Sequence, residues 1–256
     1  MIMERNQEAY LLNNVVKKYT AYNSLQKGEI SIFKKFRDKI KLGKVLDVGI
    51  GGGRTTFFLS QLAKEYFGID FSQIFVDYCN EKYSNLDNVN IQYGDARNLE
   101  TFKSADFDFI FFSFNGIDCV DFEGRKKILS EFERLLKSDG VLCFSFHNKN
   151  NLDKLYSFQF PRNPFKYIWE WKRMRLVTKL NGNKENYRNM DWFILKDGAD
   201  DFQVECVYID ALFQKKCLKE LGFNTFYFYD SITGKELSIL DLNTCNSPWI
   251  YISAQR

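Results

Sequence analysis

Val45-Leu46-Asp47-Val48-Gly49-Ile50-Gly51-Gly52-Gly53-Arg54 is the stretch that decides the fold. A short apolar run ending at Val48 reads as a buried strand that empties into glycines, and residues 55–64 then read as a helix. Glycines at such a junction permit a tight turn and let a ligand approach the backbone closely. A dinucleotide fingerprint would need glycine at the first, third and sixth positions. Counted from Gly49, the sixth position is Arg54. Asp47, just ahead of the loop, would repel a pyrophosphate and suits a ligand that carries positive charge.

The pattern continues outward. Residues 66–69 read as a second strand, 72–83 as a helix with Ser72 as its N-cap, and 89–93 as a third strand. Residues 107–114 are near-continuously apolar, as expected of a strand covered on both faces. A helix over 124–137 and the Asp139-Gly140 turn lead into a fifth strand at 141–146. Strands separated by helices of this length predict βαβ units and a parallel sheet.

Two helices are expected upstream, over 4–20 and about 24–41. Downstream, residues 150–209 break the alternation. Strand-like runs at 173–180, 192–196 and 202–208, separated by Asn-Gly-Asn and Asp-Gly turns, predict a small antiparallel meander. A helix over 211–221 ended by Gly222, then strands at 225–229 and 249–253, resume the α/β pattern. The predicted organisation is an N-terminal helical lid (1–43), an α/β core (44–149), an inserted cap (150–209) and the rest of the core sheet (210–256).

Two further acids belong with the glycine loop. Asp70 closes the second strand, where this architecture places an acid that hydrogen-bonds ribose hydroxyls. Asp95, in Gly94-Asp95-Ala96, follows the third strand and is placed to meet the exocyclic amine of a base. All three acids fall at carboxyl ends of parallel strands, the rim where open α/β sheets bind ligands.

As a set, these residues resemble the class I S-adenosylmethionine-dependent methyltransferases. Asp47 to Gly53 is similar to their first motif, Asp70 to their ribose-binding acid, and Asp95 with Ala96 to their adenine-binding motif. Residues 107–118 resemble the fourth-strand motif facing the methyl donor, and residues 135–146 their fifth-strand region. The resemblance covers roughly residues 44–147 and implies a Rossmann-like, seven-stranded sheet whose last strand is antiparallel. It implies S-adenosylmethionine as cofactor, with Asp47, Gly49, Gly51, Gly53, Asp70, Asp95, Ala96 and Ser113 around it. Tyr22, near the junction of the N-terminal helices, resembles a position that closes over the donor in related enzymes. The layout is most similar to the small-molecule branch, including methyltransferases of nucleotide-linked sugars.

Composition bounds the chemistry. The chain has 256 residues, of which 45% are hydrophobic and 17% aromatic, the make-up of a globular protein with an ample core. Its one histidine, His147, excludes any plan that needs two imidazoles. The six cysteines form no Cys-x-x-Cys pair, so they read as reduced thiols and no metal is expected. With no apolar leader at the N-terminus and no membrane-length apolar run, a cytoplasmic protein is expected.

Methyl transfer needs an acceptor aimed at the methyl group and, for a hydroxyl or protonated amine, a base. His147, at the end of the fifth strand, is the first choice of base and Asp118 the second, while Asn115 would orient a polar acceptor. Residues 151–190 hold nine basic residues against three acids, with eight aromatics interleaved. Such a cap, with Trp169, Arg173 and Arg175 as substrate contacts, suits an anionic small molecule such as a nucleotide-linked or phosphorylated sugar. RNA is the alternative acceptor, with no RNA-binding appendage or Asn-Pro-Pro-Tyr-type motif in its favour. A non-catalytic module binding S-adenosylmethionine would carry the same donor motifs. A monomer or homodimer is expected, with no membrane partner.

Overall fold

The computed structural model describes Thr20 and residues 24–256. Tyr22 and, but for Thr20, the helix expected over 4–20 lie outside the described residues. In chain order the main elements begin with helices α1 (Lys27–Lys35) and α2 (Arg37–Leu42), then β1 (Lys44–Val48), α3 (Thr56–Leu62), β2 (Glu65–Asp70), α4 (Gln73–Lys82), β3 (Val89–Tyr93) and β4 (Phe107–Phe112). A 3-10 turn at Gly116–Cys119 precedes α5 (Phe122–Leu135) and β5 (Leu136–Asn148). Next come α6 (Leu152–Leu155), α7 (Tyr167–Asn181), β6 (Trp192–Leu195) and β7 (Cys206–Ile209). The chain finishes with α8 (Ala211–Glu220), β8 (Thr225–Asp230), β9 (Glu236–Leu237), α9 (Ile239–Thr244) and β10 (Trp249–Gln255).

The strands form one sheet with the path β3-β2-β1-β4-β5-β10-β8-β9. β1 to β5 pair in parallel, and β10 lies antiparallel between β5 and β8. The Rossmann-like core and its antiparallel last strand are thus as expected. Among the described residues the sheet has ten strands where seven are expected, because β9 and the β6–β7 hairpin add to that core.

Alternation within buried strands sets both faces of the sheet. Leu46, Val48, Ile110, Phe112, Leu142 and Phe144 pack on one side with Ile128 and Phe132 of α5. Val45, Phe109, Phe111, Val141 and Cys143 face the other side, against Ile32, Phe33 and Ile40 of α1 and α2. Both faces are dry, which is why residues 107–112 carry so little polarity.

The segment 150–209 differs from the meander expected there. β6 and β7 pair antiparallel as predicted, but residues 173–180 lie in α7. Alternating Arg173-Met174-Arg175-Leu176 imitates a half-buried strand, yet Val177 is the buried residue of this helix. Local chemistry decides instead. The Asn163 side chain accepts from the Phe165 backbone ahead of the helix, and Glu170 pairs with Arg173 one turn on. Gly182, with φ 74°, ends the helix in the Asn-Gly-Asn stretch that suggests a hairpin turn. The hairpin continues the sheet past the end of β4. β4 pairs with β5 up to Phe112↔Phe144, after which β7 takes its place, His147↔Tyr208.

Candidate active site

A cavity of about 550 Å³ opens at the carboxyl ends of β1, β2, β4 and β5. One end is lined by Gly49, Ile50, Gly51, Gly52, Asp70 and Phe71, with Asp95 and Ala96 beside them. The loop comes this close because it must. Gly49 has φ 64°, and a Cβ there would sit 2.8 Å from the Phe112 ring. Gly116 approaches the same ring edge, and a Cβ there would clash with it. Both glycine backbones therefore pack closely on Phe112, which lines the cavity.

The three acids have different surroundings. Asp70 accepts from the Gly51 backbone at 2.8 Å and from the Ser72 backbone at 2.8 Å, tying the loop to the start of α4. Ser72 holds the N-cap position, but its own side chain makes no capping bond. Burial pushes the Asp70 carboxyl up to about 6. Asp95 is gripped by Arg97, with Nη2 to Oδ2 at 2.6 Å. Burial would raise its pKa, but the bonds and charge of Arg97 outweigh that and hold it below the usual carboxylate range.

Asp47 does not line the cavity. It lies beneath the loop, accepting from Thr55 Oγ1 at 2.7 Å and Tyr66 OH at 2.8 Å, and burial raises its carboxyl to about 7. A carboxyl so readily protonated and so fully bonded is a brace for the loop rather than a counter-ion for a cationic ligand. Gly53 is likewise turned away from the cavity, accepting from Tyr83 OH at 2.7 Å.

Arg54 fills the space next to the loop. It forms a two-pronged pair with buried Glu29 of α1, at 2.5 and 2.6 Å. Ser113 lines the cavity and donates to the same Glu29, and Tyr251 OH joins at 3.1 Å. The residue that broke the dinucleotide pattern thus fastens α1 to the rim. Sequence alone gave no sign of Glu29 or Tyr251, which lie far from the loop along the chain.

The other end of the cavity is lined by Phe114, Asn115, Cys119, His147, Val204, Cys206 and Trp249. His147 sits between Tyr208, ring centroids 4.9 Å apart, and Trp249 at 6.2 Å. Asp118 Oδ2 lies 2.9 Å from His147 Nδ1 and accepts from its backbone N–H at 2.6 Å. Asp118 is fully buried, and its other oxygen pairs with buried Arg125, which bonds Gln214 on α8 at 2.7 Å. Asp118 is therefore not in the cavity but behind His147, fixing its Nδ1–H tautomer and leaving Nε2 forward. Burial favours the neutral ring, but the bond and charge of Asp118, together with the charge of Asp197 on the Nε2 side, outweigh this and raise the His147 pKa. Asn115, in a left-handed turn with φ 55°, places Nδ2 3.5 Å from His147 Nε2, while its buried Oδ1 has no hydrogen-bond partner.

The expected substrate contacts stand apart from this cavity. Trp169 is exposed, Arg173 is bonded to Glu170 and to the Leu155 carbonyl at 2.8 Å, and Arg175 lies over the Trp171 ring at 4.6 Å. None of the three lines it, because α7 is a surface helix and not a strand of the cap. The insert reaches the cavity instead through Ala199, Asp200, Val204 and Cys206, in and beside the hairpin.

A sheet of this order, with a glycine-rimmed cavity over β1 and β2, defines the class. Residues 45–140 match a family model described as a methyltransferase domain. Residues 45–140 are thus a methyltransferase domain, and the fold is one shared with S-adenosylmethionine-dependent methyltransferases. A Staphylococcus aureus demethylmenaquinone methyltransferase is 31% identical over 142 residues, 52% of this chain and 57% of that protein. The chain thus spans little more than half the length of the curated relatives it matches. Among solved structures, an S-adenosylmethionine-dependent methyltransferase from Clostridium acetobutylicum superposes with TM-score 0.61, 16% identity and 98% coverage of both chains. The Burkholderia thailandensis 1,6-didemethyltoxoflavin-N1-methyltransferase, with its acceptor and S-adenosylhomocysteine bound, gives 0.61 at 11% identity, covering 99% of this chain and 87% of that one.

Proposed function

We propose that the protein methylates a compact, largely apolar small molecule bearing one ionisable oxygen or nitrogen. The observation that carries this reading is that one cavity is lined at one end by the glycine loop, Asp70 and Asp95 and at the other by Asn115 and His147. Its size is in the range of small-molecule sites, roughly 300–1,000 Å³. The residues present fit the donor: Gly49, Gly51 and Gly52 line the cavity without side chains, and Asp70 and Asp95 are rim carboxylates suited to ribose and base. The donor supplies, when bound, an electrophilic methyl carbon on a positively charged sulfur.

The chain's own residues would then do four things. Asp70 holds the ribose. Phe114, Val204 and Trp249 enclose the acceptor and exclude water. Asn115 offers its unpartnered Oδ1 to an acceptor N–H or O–H. His147 Nε2 takes the acceptor's proton, and Asp118, held by Arg125, stabilises the ring as it becomes positive.

An apolar acceptor suits these walls better than the anionic sugar expected from the basic segment. Arg173 and Arg175 are not at the cavity, and Arg54, which is, carries Glu29. The relatives are named for demethylmenaquinone and 1,6-didemethyltoxoflavin, and neither name is that of a sugar. Among the described residues no helix is long and apolar enough to cross a membrane. The test is methyl transfer from isotopically labelled donor to a panel of hydroxylated aromatics, heteroaromatics and nucleotide sugars. Transfer to the ring compounds is the expected result, and transfer confined to nucleotide sugars would overturn it.

A further inference from the structure

Three side chains meet at the acceptor end that the scattered sequence positions did not foretell. The ligand-type atoms of His147, Asp197 and Cys206 all lie within 4.8 Å of one another. They come from the end of β5, the loop of the hairpin and the start of β7, and His147 and Cys206 line the cavity.

The spacing between His147 Nε2 and Asp197 Oδ2 is 3.7 Å. That exceeds an N–H···O bond, about 2.7–3.2 Å. It lies a few tenths of an ångström above the spacing of a nitrogen and an oxygen ligand on one tetrahedral zinc, which bond lengths of about 2.0–2.2 Å set about 3.3–3.5 Å apart. With Nδ1–H committed to Asp118, Nε2 faces a carboxylate oxygen, and a positive centre between them, a proton or a metal ion, relieves the meeting of its lone pair with that oxygen.

Two of the three ligands also have a supporting partner. Asp118 backs His147, and Tyr208 OH and the Ala199 backbone N–H donate to Asp197 at 2.8 and 2.9 Å. A carboxylate behind a ligating imidazole is the usual outer shell of a histidine–metal bond. Arg125 balances Asp118, whereas among the described residues the cation-forming group within ion-pair distance of Asp197 is His147 itself.

We propose that His147, Asp197 and Cys206 bind one divalent cation of the zinc type, with its fourth position open to the cavity. One nitrogen, one oxygen and one sulfur donor suit zinc rather than magnesium or calcium, and three protein ligands with an open position are the pattern of reactive zinc sites. Binding ionises Cys206, whose proton leaves to solvent. The thiolate and the Asp197 carboxylate then neutralise the ion's two charges. The cation uses the same Nε2 lone pair as the proton in the function proposed above, so on that reading occupancy stops methyl transfer.

The binding itself is tested without donor or acceptor. The full-length protein, stripped with a chelator, is titrated with Co²⁺ and followed for thiolate-to-cobalt charge-transfer absorption, and zinc stoichiometry is measured by equilibrium dialysis. One ion per chain and a thiolate band are expected. The band should vanish in Cys206→Ser and in Cys206→Ala, weaken at least tenfold in Asp197→Asn, and survive in Cys217→Ser, a cysteine of α8 outside the cavity. Thermal unfolding of each variant separates ligand loss from misfolding. No thiolate band in the wild type, or a band that persists in folded Cys206→Ser, overturns the site. Zinc binding without inhibition of turnover leaves the site standing and overturns His147 as the base.

Discussion

At the donor end two bonds of the acids are short in sequence, Asp47 to Thr55 eight positions on and Asp70 to Gly51 nineteen positions back, while Arg54 and Ser113 reach Glu29 across 25 and 84 positions. At the acceptor end, Asp118 is 29 positions from His147, and Asp197 and Cys206 arrive from the inserted segment. The glycine turn with Asp47 and Asp70 thus belongs to one β-α-β unit, which longer contacts then fasten to α1. The acceptor end exists only when β5, the 3-10 turn and the hairpin have docked. Donor recognition therefore follows from a short run of chain, and acceptor specificity from the assembly of distant ones.

Variants on the two sides of that divide should separate cleanly. His147→Ala should lower kcat by about 10²–10⁴-fold, the usual worth of a general base, while S-adenosylhomocysteine affinity measured by calorimetry stays within about twofold. A parallel loss of affinity would mean the two ends are not independent. Arg125→Met leaves Asp118 buried without its cation and should cost about 3–5 kcal/mol in urea unfolding. A cost below about 1 kcal/mol, the worth of a surface pair, would show that Asp118 is not held as described.

On the donor side, Asp70→Ala should weaken donor binding by about 10–100-fold, the worth of one or two hydrogen bonds to a charged group, with kcat at saturation much less affected. Because burial sets the Asp70 carboxyl near 6, wild-type donor affinity should fall as pH drops through about 6, where the carboxylate that accepts ribose hydroxyls gains a proton. In Asp70→Asn that pH step should be gone.

Asp47 gives a smaller effect, read in stability. Its carboxyl rises from 3.8 to about 7 on folding, so the folded chain holds a proton that the unfolded chain releases. That stabilisation is complete below about pH 3.8 and lost as pH rises through about 7, with a slope of at most about 1.4 kcal/mol for each pH step of one between those limits. Asp47→Asn should flatten the unfolding free energy over the same range, and a slope equal to wild type would remove Asp47 as its source. The smallest effect is expected from Arg175→Ala on exposed α7, with KM for the acceptor changed less than about twofold. A tenfold rise would return the basic segment to the active site.

The β–α succession, the glycine turn and the rim position of Asp70 and Asp95 were legible because each rests on local physics: strand burial, φ-permissive residues and one turn of chain. Helix α7 was misread because alternating Met174 and Leu176 carry the same period as a half-buried strand. On an exposed helix nothing punishes that pattern, and the side chains of Asn163 and Glu170 decide. Asp47 was read as facing the ligand because sequence places a residue on a strand but not on which side of the loop its carboxyl finds donors. Thr55 and Tyr66 settled that from below.

Local sequence was enough to establish that a glycine turn follows a buried strand, that acids stand at the ends of the next two, and that one histidine closes the fifth. What the histidine faces was decided by tertiary structure. The β6–β7 hairpin takes over from β4 beside β5, and only that pairing carries Asp197, Cys206 and Tyr208 to the imidazole. Pairing between segments some sixty residues apart is fixed by the burial of whole strands, which no local spacing records.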